Sequence, residues 1–189
     1  MKKINIAIFI SGRGSNLESL IKFSQRKNCS FKIEAVISNN NKAKGLNIAK
    51  KNNIPIVCSI IKKSFENNVE KYLLEINLIC LAGFMQILSS DFVKQWHGRL
   101  LNIHPSYLPA FKGLNAQQQA IDSNADYSGC TVHYVSPKID SGQIILQKKV
   151  KILKKDNTES LSKKILIHEH KIYPKAVEMV SKKLLSKMK

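Results

Sequence analysis

Between residues 4 and 84 the chain alternates short apolar runs with longer amphipathic stretches. "INIAIFI" (4–10), "FKIEAVIS" (31–38), "IPIVCS" (54–59) and "NLICLAGF" (77–84) are strand-sized. The first and last are nearly continuous in apolar character, which suits a strand covered on both faces in a parallel sheet. Between them, "LESLIKFSQRK", "NKAKGLNIAKKNN" and "ENNVEKYLLEI" set apolar residues at helical spacing. Strand and helix in turn, at this interval, predict an α/β fold with a doubly wound, mostly parallel sheet and right-handed crossovers. The 189 residues are 43% apolar, enough for one core, and no linker, repeat or low-complexity segment divides them, so a single domain is expected.

The second half is less regular. "LAGFMQILSSDFVKQW" reads as a loop and a short helix, "RLLNIH" (99–104) as a strand, "PSYLPAFKG" as a proline-punctuated loop and "LNAQQQAIDSN" as a helix. "GCTVHYV" (129–135) and "GQIILQKKV" (142–150) are strands joined by "SPKIDS", too short for a crossover helix, so this pair is expected to be antiparallel at one side of the sheet. From Asn157 to Lys189 the pattern is helical and rich in lysine, with a break expected at Pro174.

The formal net charge of +18 raises the question of a nucleic-acid partner. Of 31 basic residues only Arg13, Arg26 and Arg99 are arginine, and the lysines are spread through nearly every segment. Phosphate and base recognition usually recruits arginine forks, so a solvated lysine surface is the better reading. That field still favours anionic small molecules. Cys29, Cys58, Cys80 and Cys130 are scattered, with no C-x-x-C pair and no histidine at metal-ligand spacing, so free buried thiols and no metal are expected. The two lysines and apolar run at the amino terminus lead into a glycine loop rather than a cleavage pattern, so they read as a first strand. No run approaches a membrane span, and a cytoplasmic protein is expected.

Three stretches carry possible chemistry. "SGRGSN" (11–16) joins the first strand to the first helix. Gly12 and Gly14 suit a tight turn, and the helix start offers N–H groups to an anion. A dinucleotide site is disfavoured, because Leu17 stands at the third glycine and the second strand ends in Ser38, Asn39 and Asn40 with no acidic residue for a ribose. A phosphate monoester fits better, unless Ser15 or Asn16 serves only as a helix cap. In "LLNIHPS", Asn102 and His104 lie two apart on one face at a strand's carboxyl end, closed by Pro105. An amide N–H there suits a developing oxyanion, and an imidazole suits donation to the same oxygen or proton transfer. Asp140, in the turn "KIDSG" with Gly142 as the residue of unusual geometry, is the candidate carboxylate, its plainer role being a turn former. His133, on the face of Thr131 and Val135, reads as structural. His97, His168 and His170 read as surface or helix residues, and Glu169 by itself as a solvent-exposed helical carboxylate.

Taken together, "ISGRGSNL", "LAGFM", "LLNIHPSYLPAFKG", "GCTVHYV", "DSGQIILQ" and "EHKIYP" resemble the phosphoribosylglycinamide formyltransferases, folate-dependent enzymes of purine synthesis, over nearly the whole chain. "NIHPS" followed by "DSG" marks the wider formyltransferase family, and "SGRGSN" narrows it. The resemblance implies a Rossmann-like fold in one domain, residues 1–189, with a phosphate-binding half (1–100) and a catalytic and folate-binding half (101–189). It implies that the amine of glycinamide ribonucleotide attacks the formyl carbon of 10-formyltetrahydrofolate. Asn102 and His104 would then hold the oxyanion, while Asp140 would orient the histidine and relay the amine proton through water. The loop Gly12, Arg13, Gly14, Ser15 and Asn16 would take the substrate phosphate, and Glu169 the amino end of the glycinamide. Met85, Gln86, Ile87 and Leu88, with Asn102 and the segment Pro137, Lys138, Ile139 and Asp140, would line the folate pocket. The implied partners are small molecules, with no nucleic acid, membrane or metal, in a monomer or homodimer.

Three residues depart from the family pattern: Gln86 where arginine is expected, Gln117 where histidine is common and Gln143 where proline is frequent. Two relatives are set aside. A transfer-RNA formyltransferase would need a nucleic-acid domain beyond residue 157, and a formyltetrahydrofolate deformylase would carry a regulatory domain ahead of the first strand.

Overall fold

The computed structural model describes residues 2–188. Seven strands form one sheet in the order β3-β2-β1-β4-β5-β6-β7. β1 (Ile4–Ile10), β2 (Phe31–Ser38), β3 (Ile56–Cys58), β4 (Leu78–Leu81) and β5 (Leu100–His104) pair in parallel, as the apolar runs predict. β6 (Tyr127–Tyr134) and β7 (Ile144–Lys151) are antiparallel to each other. β6 is also antiparallel to β5, a pairing the sequence pattern does not reveal.

Alternation along β1 divides the core between the two faces. Ile4, Ile6, Ile8 and Ile10 face the layer containing α1 (Ser15–Ser24), α2 (Gly45–Lys51), α5 (Ala116–Asp122) and α6 (Thr158–Lys187). Ala7 and Phe9 face the layer of α3 (Phe65–Glu70) and α4 (Ser90–Gln95), where Phe9 meets Phe65 edge-on at 5.6 Å. All four isoleucines are fully buried. Each contributes on the order of 1.5–3 kcal/mol of transfer free energy, which fixes the central strand against slipping.

Two elements differ from expectation. α3 ends at Glu70 rather than continuing to Ile76, because 3-10-type bonds from Leu73 N–H to the Glu70 carbonyl and from Ile76 N–H to the Leu73 carbonyl turn Leu73 and Ile76 into the core. α6 runs through Pro174 without a break. Its missing N–H leaves one backbone acceptor unpaired in the ladder. Leu161, Ile165, Tyr173, Val177 and Val180 nevertheless bury one stripe of the whole helix, and the Tyr173 hydroxyl donates to the Leu81 carbonyl at 2.8 Å. Asn157 and Ser160 close a reciprocal capping box at its start. Among the described residues no helix is long and apolar enough to cross a membrane. The four cysteines are free, and Cys58 is exposed rather than buried like the other three.

Candidate active site

The carboxyl ends of β1, β4 and β5 bring the site residues to one edge of the sheet, where ligands bind in open α/β folds. Antiparallel register sets Asn102 of β5 opposite His133 of β6, and His104 opposite Thr131. His133, read from the sequence as mainly structural, is therefore in contact range of two candidate site residues, Asn102 and Asp140. Its Nδ1 lies 2.9 Å from the Tyr134 carbonyl, which only accepts, so Nδ1 carries a proton. Its Nε2 lies 3.3 Å from the Asn102 amide.

His104 is held by the loop after β5. Its Nε2 is 2.8 Å from the Phe111 carbonyl and so carries a proton, while Nδ1 sits 3.3 Å from Asp140 Oδ2. A proton arriving at Nδ1 would meet a carboxylate already in place. Asp140 is fixed in turn by the Gly113 N–H, which donates to Oδ2 at 2.8 Å, and its Oδ1 is 3.6 Å from His133 Nε2. The loop is anchored below by Thr131, whose hydroxyl donates to the Ser106 carbonyl and accepts from the Leu108 N–H, and by Gln147, whose amide donates to the Leu108 carbonyl. The asparagine, imidazole and carboxylate singled out in the sequence are thus joined in one network with His133.

Gly142 does not carry the unusual dihedral the sequence suggests. Asp140 does, at φ +45°, within the small set of residues that tolerate left-handed backbone. Gly142 is required because a Cβ there would overlap the Tyr134 carbonyl. A similar correction applies to the first loop. Gly14, at φ +80° with Gly45 Cα 2.5 Å from where its Cβ would lie, must be glycine, whereas Gly12 has open space and no left-handed backbone. Gly14 is the N-cap of α1, and no side chain caps it, so the first N–H groups of that helix are unclaimed by Ser15 or Asn16. Arg13 is exposed and Ser15 half-buried.

Glu169 is buried, not exposed as its local sequence suggests. Asn16 Nδ2 donates to its Oε2 at 2.7 Å, and Asn16 Oδ1 is buried without a partner. Its place in the stripe Leu161, Ile165, Glu169, Tyr173, four apart, is the sequence signal that reveals the burial. Of the other proposed folate-side residues, Met85 and Ile87 are exposed, Leu88 packs into the core, and Pro137, Lys138 and Ile139 form the exposed turn before Asp140.

Burial lowers the His104 imidazole below its ordinary 6.5, against the pull of the Phe111 carbonyl and the Asp140 charge. Burial pushes Asp140 up but is outweighed by His133, the Gly113 N–H and His104, so it stays below 3.8. Glu169 is raised by burial despite its bond from Asn16. His168 and His170 are also lowered, by burial first. As pH falls through 6.5 the unfolded chain takes up protons that these histidines refuse, so stability drops and the loss is complete below their folded values. The thermal midpoint should fall as pH drops below about 6.5, and His104→Gln should flatten that fall. An unchanged slope in the variant would show that His104 is not held neutral.

The chain matches the family described as formyl transferase over residues 4–177. It is 41% identical over 186 residues to a phosphoribosylglycinamide formyltransferase of Haemophilus influenzae, covering 94% of this chain and 86% of that one. The trifunctional purine biosynthetic protein adenosine-3 of Homo sapiens is 45% identical over 188 residues. That match takes in 95% of this chain but only 18% of the human protein, so the chain spans less than a fifth of that relative. Among solved structures, phosphoribosylglycinamide formyltransferase from Anaplasma phagocytophilum superposes with a TM-score of 0.91 at 45% identity, covering 96% of this chain and 88% of that one.

Proposed function

The chain belongs to the formyl transferase family, and on that premise we propose that it moves the formyl group of 10-formyltetrahydrofolate to the amine of glycinamide ribonucleotide. The products are N-formylglycinamide ribonucleotide and tetrahydrofolate, as in de novo purine synthesis. The observation that carries this reading is the junction of Asn102, His104 and Asp140 at the sheet edge that also bears the uncapped start of α1. Residues 1–189 act as one formyltransferase domain, with the ribonucleotide phosphate chiefly on the first half (1–100) and catalysis and folate chiefly on the second (101–189). The reading carries with it small-molecule substrates and a cytoplasmic setting.

The chemistry follows from the geometry. A bond forms between the substrate amine and the formyl carbon, and the carbonyl oxygen becomes an oxyanion. The Asn102 amide donates to that oxygen, and His104, on taking a proton at Nδ1 beside Asp140, becomes a cation that stabilises the same charge. Collapse then breaks the carbon–nitrogen bond to the folate. The amine proton passes by way of water and Asp140 to His104 Nδ1 and from there to the departing folate nitrogen, which leaves the imidazole neutral again. The phosphate rests on the N–H groups of residues 12–16, and the glycinamide amine lies near Glu169 and the unpaired Asn16 Oδ1.

The direct test follows release of tetrahydrofolate from 10-formyltetrahydrofolate in the presence of glycinamide ribonucleotide. Ribonucleotide-dependent release is expected, and a rate no higher than that of a His104→Ala protein would defeat the proposal. A second prediction uses the contrast between the two loop glycines. Gly12→Val fits the fold, since nothing lies within 4 Å of its Cβ and its backbone is ordinary. It should raise KM for the ribonucleotide on the order of tenfold or more, leave KM for the folate unchanged and leave the thermal midpoint in place. Equal changes in both KM values would remove the phosphate from this loop.

A further inference from the structure

Ser11, the first residue after β1, makes four hydrogen bonds to four residues of two other loops. Its N–H donates to the Gly83 carbonyl at 3.1 Å, and its carbonyl accepts from Asn40 Nδ2 at 3.0 Å. Its hydroxyl donates to Asn39 Oδ1 at 2.7 Å and accepts from the Met85 N–H at 2.8 Å. A hydroxyl has one proton, and Asn39 claims it. The lone pair left for Met85 therefore points where Asn39 makes it point. Asn39 Nδ2 extends the chain to Gln86 Oε1 at 3.4 Å, and Gln86 donates to the Lys62 carbonyl at 3.2 Å. The absence of an acidic residue at the end of β2 thus has a positive counterpart, because an asparagine there can accept from Ser11 and donate to Gln86 at once.

On one side Ser11 is continuous with the loop 12–16, and on the other it is bonded to the start of the segment 85–88. Resting on the function proposed above, we infer that Ser11, oriented by Asn39, is a positioning residue that fixes the folate-side segment Met85–Leu88 against the phosphate loop. It touches neither reacting group. Its effect is to hold the start of the folate-side segment in register with the end of β1.

Ser11→Ala keeps the backbone bonds to Gly83 and Asn40 and removes only the hydroxyl. It should raise KM for 10-formyltetrahydrofolate about fivefold, the scale of one lost hydrogen bond, with kcat within a factor of about three. Gly12→Val, one residue further on, should leave the folate KM alone. Asn39→Ala should reproduce the Ser11→Ala effect without adding to it in the double variant, and Asn39→Asp, which keeps the acceptor, should restore most of the folate KM. An active wild type whose Ser11→Ala form shows an unchanged folate KM, or a lowered thermal midpoint and nothing else, would overturn the relay alone. A wild type without formyl transfer would overturn the relay together with the function on which it rests.

Discussion

Replacing His104 with alanine should lower kcat for formyl transfer by roughly 10²- to 10⁴-fold, the range for a lost general acid or base. The residue is 4% exposed and its two ring nitrogens are both engaged, one at the Phe111 carbonyl and one facing Asp140. Alanine therefore removes the proton carrier and also leaves the half-buried Phe111 carbonyl without its partner, at a stability cost of about 1 kcal/mol. His104→Gln separates the two effects. A glutamine amide can still donate to Phe111 but cannot take up a proton, so it should restore part of the thermal midpoint and none of the rate. Asp140→Asn should show a similar loss, and the double variant should be little worse than either, because residues acting as a unit are not additive. Recovery of kcat in His104→Gln would reduce the imidazole to a structural role. Additive losses in the double variant would mean that Asp140 acts apart from it.

The parallel half of the fold was legible because β1 and β4 are buried on both faces and, like β2 and the more exposed edge strand β3, announce themselves as apolar runs of the right length. The strand pairing at the other end was not. β5 and β6 are separated by a loop and a helix, and nothing in "GCTVHYV" says which neighbour it will take. That one unread pairing hides His133, whose position opposite Asn102 follows from register alone. Asn102, His104 and Asp140 were readable for a different reason: polar groups at a strand end and a turn stand out against apolar surroundings. Glu169 shows the converse. Its histidine neighbours suggest a wet surface, while the fourfold spacing from Leu161 through Ile165 to Tyr173 places it inside. Pro174 shows how tertiary burial overrides a local signal, since the stripe on both sides of it holds the helix together. Gly142 was legible as necessary but not in its reason, and Gly12 proves not to be required by the fold. Gly142 is excluded from bearing a side chain by the Tyr134 carbonyl, a contact between residues eight apart that only folding creates.

Asn102→Ala should cost about 10²- to 10³-fold in kcat, or roughly 3–4 kcal/mol, as for loss of one oxyanion donor. KM for both substrates should hold, because the charge that the amide meets exists only in the transition state. The structure also permits a plainer role, in which the amide serves to hold His133 through the 3.3 Å contact with Nε2. The two roles give opposite signs for Asn102→Asp. If the amide donates to the oxyanion, a carboxylate in its place repels the developing charge, and the aspartate variant should be slower than the alanine one. If it only steadies His133, a carboxylate draws a proton onto Nε2 and pairs with the resulting imidazolium, and the aspartate variant should be faster than alanine. His133→Ala adds a check on the same choice: it frees the Asn102 side chain without removing its donor, so its loss of rate should be smaller than that of Asn102→Ala. An aspartate variant that outperforms alanine, with kcat near the wild-type value, would take Asn102 out of the oxyanion's reach and leave His104 as its sole side-chain partner in this mechanism.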